Sequence, residues 1–194
     1  MTAPQPAGGF PLVCIGGSAG GLDAYIRLLQ HVPPDTGAAF VIVNHVRHLA
    51  TQLPEILPRY TAMPVVLITE GLPVRPDHLY IIPAGHDLHV RAALFEIRPI
   101  SKPRGWPNVI TVFLRSLSRQ WRGQIIAVIV SGLDGDGADA LREIRSAGGI
   151  TIAQQPETAA EPDMPESAIA SGCVDFVLSP AEIAGKIAAI AREA

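Results

Sequence analysis

The chain has 194 residues, 48% of them hydrophobic, with a mean hydropathy of +0.28 and a formal net charge of −3. That length can bury one sizeable core. No apolar run reaches the roughly 18 residues of a membrane span, and the interspersed charges offer nothing to nucleic acid or to an anionic membrane surface. Met1 to Gly9 lack the basic start and apolar centre of a signal peptide and read as a disordered tail, leaving residues 10–194 as one domain. Cys14 and Cys173 lie in or beside predicted strands, as buried free thiols of a reducing compartment do, so the expected location is cytoplasmic.

Strand and helix signals alternate along the chain. Pro11 to Ile15 reads as a strand, Gly16 to Gly21 as a glycine turn, and Leu22 to Leu29 as a helix. Ala39 to Asn44 is a second strand, followed by a loop and a short helix near Gln52 to Tyr60, where Pro54 fits only the first turn. Pro64 to Ile68 is a third strand. Three short segments follow, His78–Ile82, Leu88–Arg91 and Leu94–Arg98, with turns at Pro83–Gly85 and Ala92–Ala93, and they suggest an antiparallel excursion. A helix from about Asn108 to Gln120 carries Val109, Val112, Phe113 and Leu117 on one face. Then come strand Ile125–Val130, helix Ala138–Ala147 stopped by Gly148-Gly149, strand Ile150–Gln154, a helix near Pro165–Ala170, strand Val174–Leu178 and helix Pro180–Arg192. Runs such as Ile125-Ile126-Ala127-Val128-Ile129-Val130 suit strands buried on both faces of a parallel sheet. The predicted fold class is α/β: three layers, doubly wound, a mostly parallel sheet with helices on both faces and a small antiparallel excursion.

The chemistry concentrates at strand ends, where such sheets form their sites. Gly16-x-Ser18-x-Gly20, between a strand and a helix, has the spacing of a nucleophile elbow, and the helix turns its free N–H groups back toward the serine. The same turn could bind an anion, but neither the G-x-G-x-x-G spacing nor the P-loop lysine is present. The second strand ends in His45, and the Ile125–Val130 strand runs into Ser131-Gly132-Leu133-Asp134-Gly135-Asp136-Gly137. A serine, a histidine and one of two aspartates thus converge on one sheet edge, as a hydrolytic triad requires. His48, one helical turn from His45, is the competing base. His86 and His89 flank Asp87 without the further ligands of a metal centre, and a structural or surface role suits them better. No metal or cofactor is expected.

These residues resemble a known family. Ile15-Gly16-Gly17-Ser18-Ala19-Gly20-Gly21, Asn44-His45, Ser131 to Ala138, Thr151-Ile152-Ala153-Gln154 and Met164 to Ile169 follow in the order of the catalytic domain of the chemotaxis-receptor protein-glutamate methylesterases, the CheB-type family. The resemblance places the triad on Ser18, His45 and Asp136, with the N–H groups of Ala19 and Leu133 holding the oxyanion. It implies hydrolysis of glutamate γ-methyl esters on a receptor helix, with deamidation of glutamine at such sites as a second reaction. The implied partners are a methylated chemoreceptor-type protein and, because nine residues before the domain cannot form a receiver, a separate receiver or kinase protein. Alternatives are a general serine esterase and a non-catalytic signalling module that binds a phosphorylated or acidic partner at the glycine turn. The chain departs from the family pattern at Ala19, often threonine; at Leu133, commonly methionine; at Asp134, often glycine; and at Trp106 to Ile110, which lacks an acid.

Overall fold

The structure, a computed structural model, describes residues 9–45, 51–102 and 104–194. The expected tail, apart from Gly9, and His48 lie outside the described residues. Seven described strands form a parallel sheet in the order β3-β4-β2-β1-β7-β8-β9: β1 Leu12–Gly17, β2 Ala39–Asn44, β3 Val65–Leu67, β4 Leu79–Ile81, β7 Ile125–Ile129, β8 Ile150–Gln154 and β9 Phe176–Leu178. The predicted α/β class is observed. β1 and β7 are buried at every position, which is why their sequences run apolar without alternation.

Because β1 pairs with β2 on one side and β7 on the other, alternate side chains of these strands feed two cores. One holds Cys14, Val41 and Ala127 with α3 (Val109–Gln120), α4 (Leu141–Ser146) and α5 (Asp163–Ala170). The other holds Val13, Phe40 and Val128 with α1 (Gly21–Leu29), α2 (Leu53–Ile56) and α6 (Pro180–Glu193). Helix α3 sinks Val109, Ile110, Phe113, Leu114 and Leu117 against the sheet, each large side chain contributing about 1.5–3 kcal/mol by its burial. Helix α6 begins on a capping box in which Ser179 and Glu182 satisfy each other's backbone N–H. Both cysteines are buried and free.

Three expectations are corrected. The segment His78–Ile82 is not part of the antiparallel excursion: its centre is β4, inserted between β3 and β2 in the parallel sheet. The excursion is the hairpin β5 (His86–Arg91) and β6 (Leu94–Pro99) alone. The helix over Gln52 to Tyr60 is one α-turn followed by a 3-10 turn at Leu57–Arg59, since Pro58 has no N–H with which to continue the ladder. The helix from Ala138 likewise opens with a 3-10 turn, and α4 starts at Leu141. No described helix is long and apolar enough to cross a membrane.

Candidate active site

The order β2-β1-β7 puts three strand ends side by side: Gly17 pairs with Asn44 in register, and Gly16 with Ile129. The chain leaves β1 toward one half of the sheet and returns through β7 to build the other, so this edge is the switch point where parallel sheets open a crevice. Ser18, His45 and the loop from Ser131 to Gly137 emerge there.

The turn around Ser18 is anchored by its backbone. Ser18 N–H donates to the Ser131 carbonyl at 2.9 Å, and Gly21 N–H donates to the Ser18 carbonyl at 3.0 Å. The left-handed residue is Gly20, with φ 70°, and Ser18 is not among the positive-φ residues. The expectation of a nucleophile elbow is therefore corrected in detail, because the sharp bend falls two residues after the serine. A side chain at Gly20 would also press on Ser131 Oγ at 2.6 Å and on Ala160 Cβ at 2.7 Å. Ser18 Oγ accepts the N–H of Leu133 at 3.3 Å, and Leu133 itself is 45% exposed.

His45 and Asp136 meet at 2.7 Å, Nε2 to Oδ2. The carboxyl group of Asp136 also accepts the N–H groups of Ile110 and Thr111, both at 2.9 Å, and the Thr111 hydroxyl at 2.7 Å. Asn108, at the N-cap position of α3, makes no side-chain cap, so Asp136 takes up the orphan donors of the first helical turn from the loop after β7. The other ring nitrogen of His45, Nδ1, lies 3.1 Å from Oδ2 of Asp134. This contact is an oblique ion pair: no donor is aligned on that buried oxygen. Asp134 Oδ1 accepts the N–H of Asp136 at 2.8 Å. Burial pulls the His45 pKa down, but hydrogen bonding and charge from Asp134 and Asp136 outweigh it and raise it to about 9. Burial likewise works against the Asp134 carboxylate, and His45 together with the Asp136 N–H still holds it below the usual carboxylate range. With both ring nitrogens on carboxylates, no hydrogen bond joins His45 to Ser18 among the described residues.

The profile of the CheB methylesterase family matches residues 13–187. The chain belongs to the CheB methylesterase family. It is 36% identical over 196 residues to protein-glutamate methylesterase/protein-glutamine glutaminase 1 of Burkholderia lata, an alignment covering 96% of this chain and 56% of that protein. It is 35% identical over 200 residues to the second such protein of Burkholderia orbicola, covering 98% and 58%. The chain thus spans a little over half the length of the curated relatives it matches. The crystal structure of the Thermotoga maritima CheB methylesterase catalytic domain superposes with a TM-score of 0.85 at 26% identity, covering 93% of this chain and 98% of that one.

Within this CheB methylesterase fold, several supporting residues had no role assigned from the sequence, although Ser131 and Gln154 lie in the motifs that carry the resemblance. Ser131 is completely buried; its hydroxyl donates to the Ala19 carbonyl at 2.8 Å and accepts the Glu161 N–H at 2.9 Å. Gln154 accepts the Ser131 N–H at 3.0 Å and donates to the Thr158 carbonyl at 3.0 Å. These bonds fix both sides of the serine turn to the end of β8. Thr111, unremarkable as a helical threonine in the sequence, orients Asp136 and also accepts the Gly137 N–H at 2.9 Å. The Trp106–Ile110 segment, which lacks the family's acid, contributes a backbone donor, Ile110 N–H, to Asp136. His86 is exposed on β5, its Nδ1 2.7 Å from the Ala84 carbonyl, far from the role of a base.

Proposed function

We propose that residues 10–194 form a serine hydrolase unit that removes methyl groups from glutamate γ-methyl esters of a chemoreceptor-type protein. One observation carries the reading: the consecutive residues Leu133 and Asp134 reach Ser18 Oγ and His45 Nδ1 respectively, so serine and histidine converge on one short loop that also holds Asp136. The named activity of the relatives, protein-glutamate methylesterase/protein-glutamine glutaminase, supports the substrate class and deamidation as a second reaction.

Ser18 Oγ attacks the ester carbonyl carbon as His45 takes its proton, and Asp136 orients the imidazole and stabilises its charged form. The tetrahedral oxyanion is held by the Leu133 N–H, which faces Ser18 Oγ at 3.3 Å, and by the N–H of Ala19; losing one such donor costs on the order of 10²–10³ in rate. As the intermediate collapses, the carbonyl re-forms and methoxide leaves with the proton from His45, as methanol. Water then adds to the acyl-serine, gives its proton to His45, and the breakdown releases the glutamate carboxylic acid and returns the proton to Ser18. No step calls on a metal or an organic cofactor. A receiver or kinase protein as a separate regulatory partner belongs to the same reading.

The test is methanol release from a methylated receptor cytoplasmic domain, with Ser18→Ala as the paired protein. Release by the native chain and none by folded Ser18→Ala is expected. Tight phosphate binding without any methanol would favour the binding-module alternative.

A further inference from the structure

We propose that Asp134 is a positioning residue that competes with Ser18 for Nδ1 of His45 and so restrains the base. The inference rests on the hydrolase reading above. Nε2 of His45 is committed to Asp136 at 2.7 Å, which leaves Nδ1 as the nitrogen to receive the serine proton. Asp134 Oδ2 sits on that nitrogen at 3.1 Å.

The carboxylate is set there by its own loop. Its Oδ1 is fixed by the Asp136 N–H at 2.8 Å, which turns Oδ2 toward the imidazole. That oxygen is buried, and no other group donates to it. A carboxylate oxygen in such a place is compensated only by a charged His45, since a buried, unpaired anion is costly. The side chains of His45 and Asp134 are only 9% and 11% exposed, so water screens the pair weakly. The other charged groups at hand are Lys102, Arg115 and Asp139, which line the same cavity of about 370 Å³ as the two aspartates, and Asp163 and Glu166, which line a second pocket with Asp134; the Cys14 thiol of β1, near Asp136, is kept neutral by burial. Among the described residues, none of them donates to Asp134 Oδ2.

For Ser18 to transfer its proton, Nδ1 must be unprotonated and must face Oγ. Both conditions require the Asp134 contact to break. Between the two acids, that contact is the one to yield, because it is longer and oblique while the Asp136 bond is short and aligned. The raised pKa of His45, about 9, is the electrostatic counterpart of the same geometry.

Two measurements on the whole chain, native and Asp134→Asn, test this. Asparagine keeps an oxygen for the Asp136 N–H and removes the charge. The first is the titration of the His45 imidazole by ¹⁵N NMR, which should fall by about one to three pH units in the variant. The second is the rate at which a fluorophosphonate labels Ser18 at pH 7, which should rise about tenfold for the first unit of that fall and level off near about 100-fold once the titration drops below about pH 7, as neutral base becomes available. Asp134→Ala repeats both if the asparagine variant misfolds. An unmoved titration with normal labelling overturns the proposal, as does slower labelling at every pH. A lowered titration in a protein whose Ser18 is labelled in neither form would instead sink the hydrolase reading and leave the pairing of His45 with Asp134 standing.

Discussion

The hydroxyl of Thr111 donates to Oδ1 of Asp136 at 2.7 Å and accepts the N–H of Gly137 at 2.9 Å. One side chain on α3 therefore aims the acid behind His45 and satisfies the loop that carries it. Thr111→Val keeps the shape and removes both bonds, leaving the Gly137 N–H without its partner. The expected result is a loss of about 1–3 kcal/mol in stability and, because Asp136 loses a constraint on its orientation, a fall in kcat of about 10²-fold. Urea unfolding and ester hydrolysis measured on the same samples check both, and Thr111→Ser should recover most of the activity. A fully active valine variant would remove Thr111 from the support of the acid.

Gly132→Ala is expected to act on Ser18 directly. A Cβ at Gly132 would lie 2.6 Å from Ser18 Oγ and 2.6 Å from Met164 Cε. The methionine can shift; the serine cannot without leaving the Leu133 N–H. Overpacking of this kind costs about 1–3 kcal/mol, and the displaced hydroxyl should lower fluorophosphonate labelling by about 10²-fold. Labelling at the native rate would show that Ser18 has room that the structure does not give it.

His45, held between two aspartates, makes both activity and stability depend on pH. His45 has a folded pKa of about 9 against an unfolded value of 6.5, so the folded state binds more protons between those values. Its contribution to stability is complete below pH 6.5 and is lost as the pH rises through about 9. Over that window the unfolding free energy should fall by an amount on the order of 3 kcal/mol, while the hydrolytic rate climbs because only neutral His45 accepts the serine proton. Denaturant midpoints and initial rates taken at half-unit steps from pH 6 to 10 would show opposite slopes. A rate that is flat from pH 6 to 9, with chemistry rate-limiting, argues against a histidine base.

The β5–β6 hairpin offers a stability prediction away from the site. Its two-residue turn holds Ala92 at φ 50° and Ala93 at φ 58°, the left-handed region that a type I′ turn requires and that alanine adopts at a cost. Replacing them with Asn-Gly should add about 1 kcal/mol and raise Tm by about 2–4 °C for a chain of this size. Thermal unfolding checks the gain, and methyl ester hydrolysis should be unaffected. Ala93 is partly buried against the core, so a lower Tm would mean that losing its methyl outweighs the relief of the backbone.

How much of this was legible beforehand differs from element to element. The apolar runs of β1, β2 and β7 read as strands buried on both faces, and strands of that kind between helices suit a parallel sheet. Ser18, His45 and the pair Asp134 and Asp136 could be picked out as chemistry-bearing residues because each follows such a run, and only the family resemblance preferred Asp136. β4 was misassigned because a buried strand of three residues carries no periodicity, and only its pairing to both β3 and β2 distinguishes it from a hairpin arm. The tight turn around Ser18 was recognisable from its glycines, yet the position of its left-handed residue was not, since any of four glycines could take it.

The relation between the two aspartates lay furthest from the sequence. Spacing alone offered Asp134 and Asp136 as rivals for one role. The fold gives them opposite nitrogens of the same imidazole. Asp136 holds its side because the first turn of α3, 25 and 26 residues earlier in the chain, brings its orphan N–H groups against that carboxyl group. Local sequence determines which segments are strand, turn and helix, because periodicity and backbone preference act over a few residues. Which carboxylate pairs with which nitrogen depends on groups that meet only when α3 packs on the sheet, and that was decided by the tertiary structure alone.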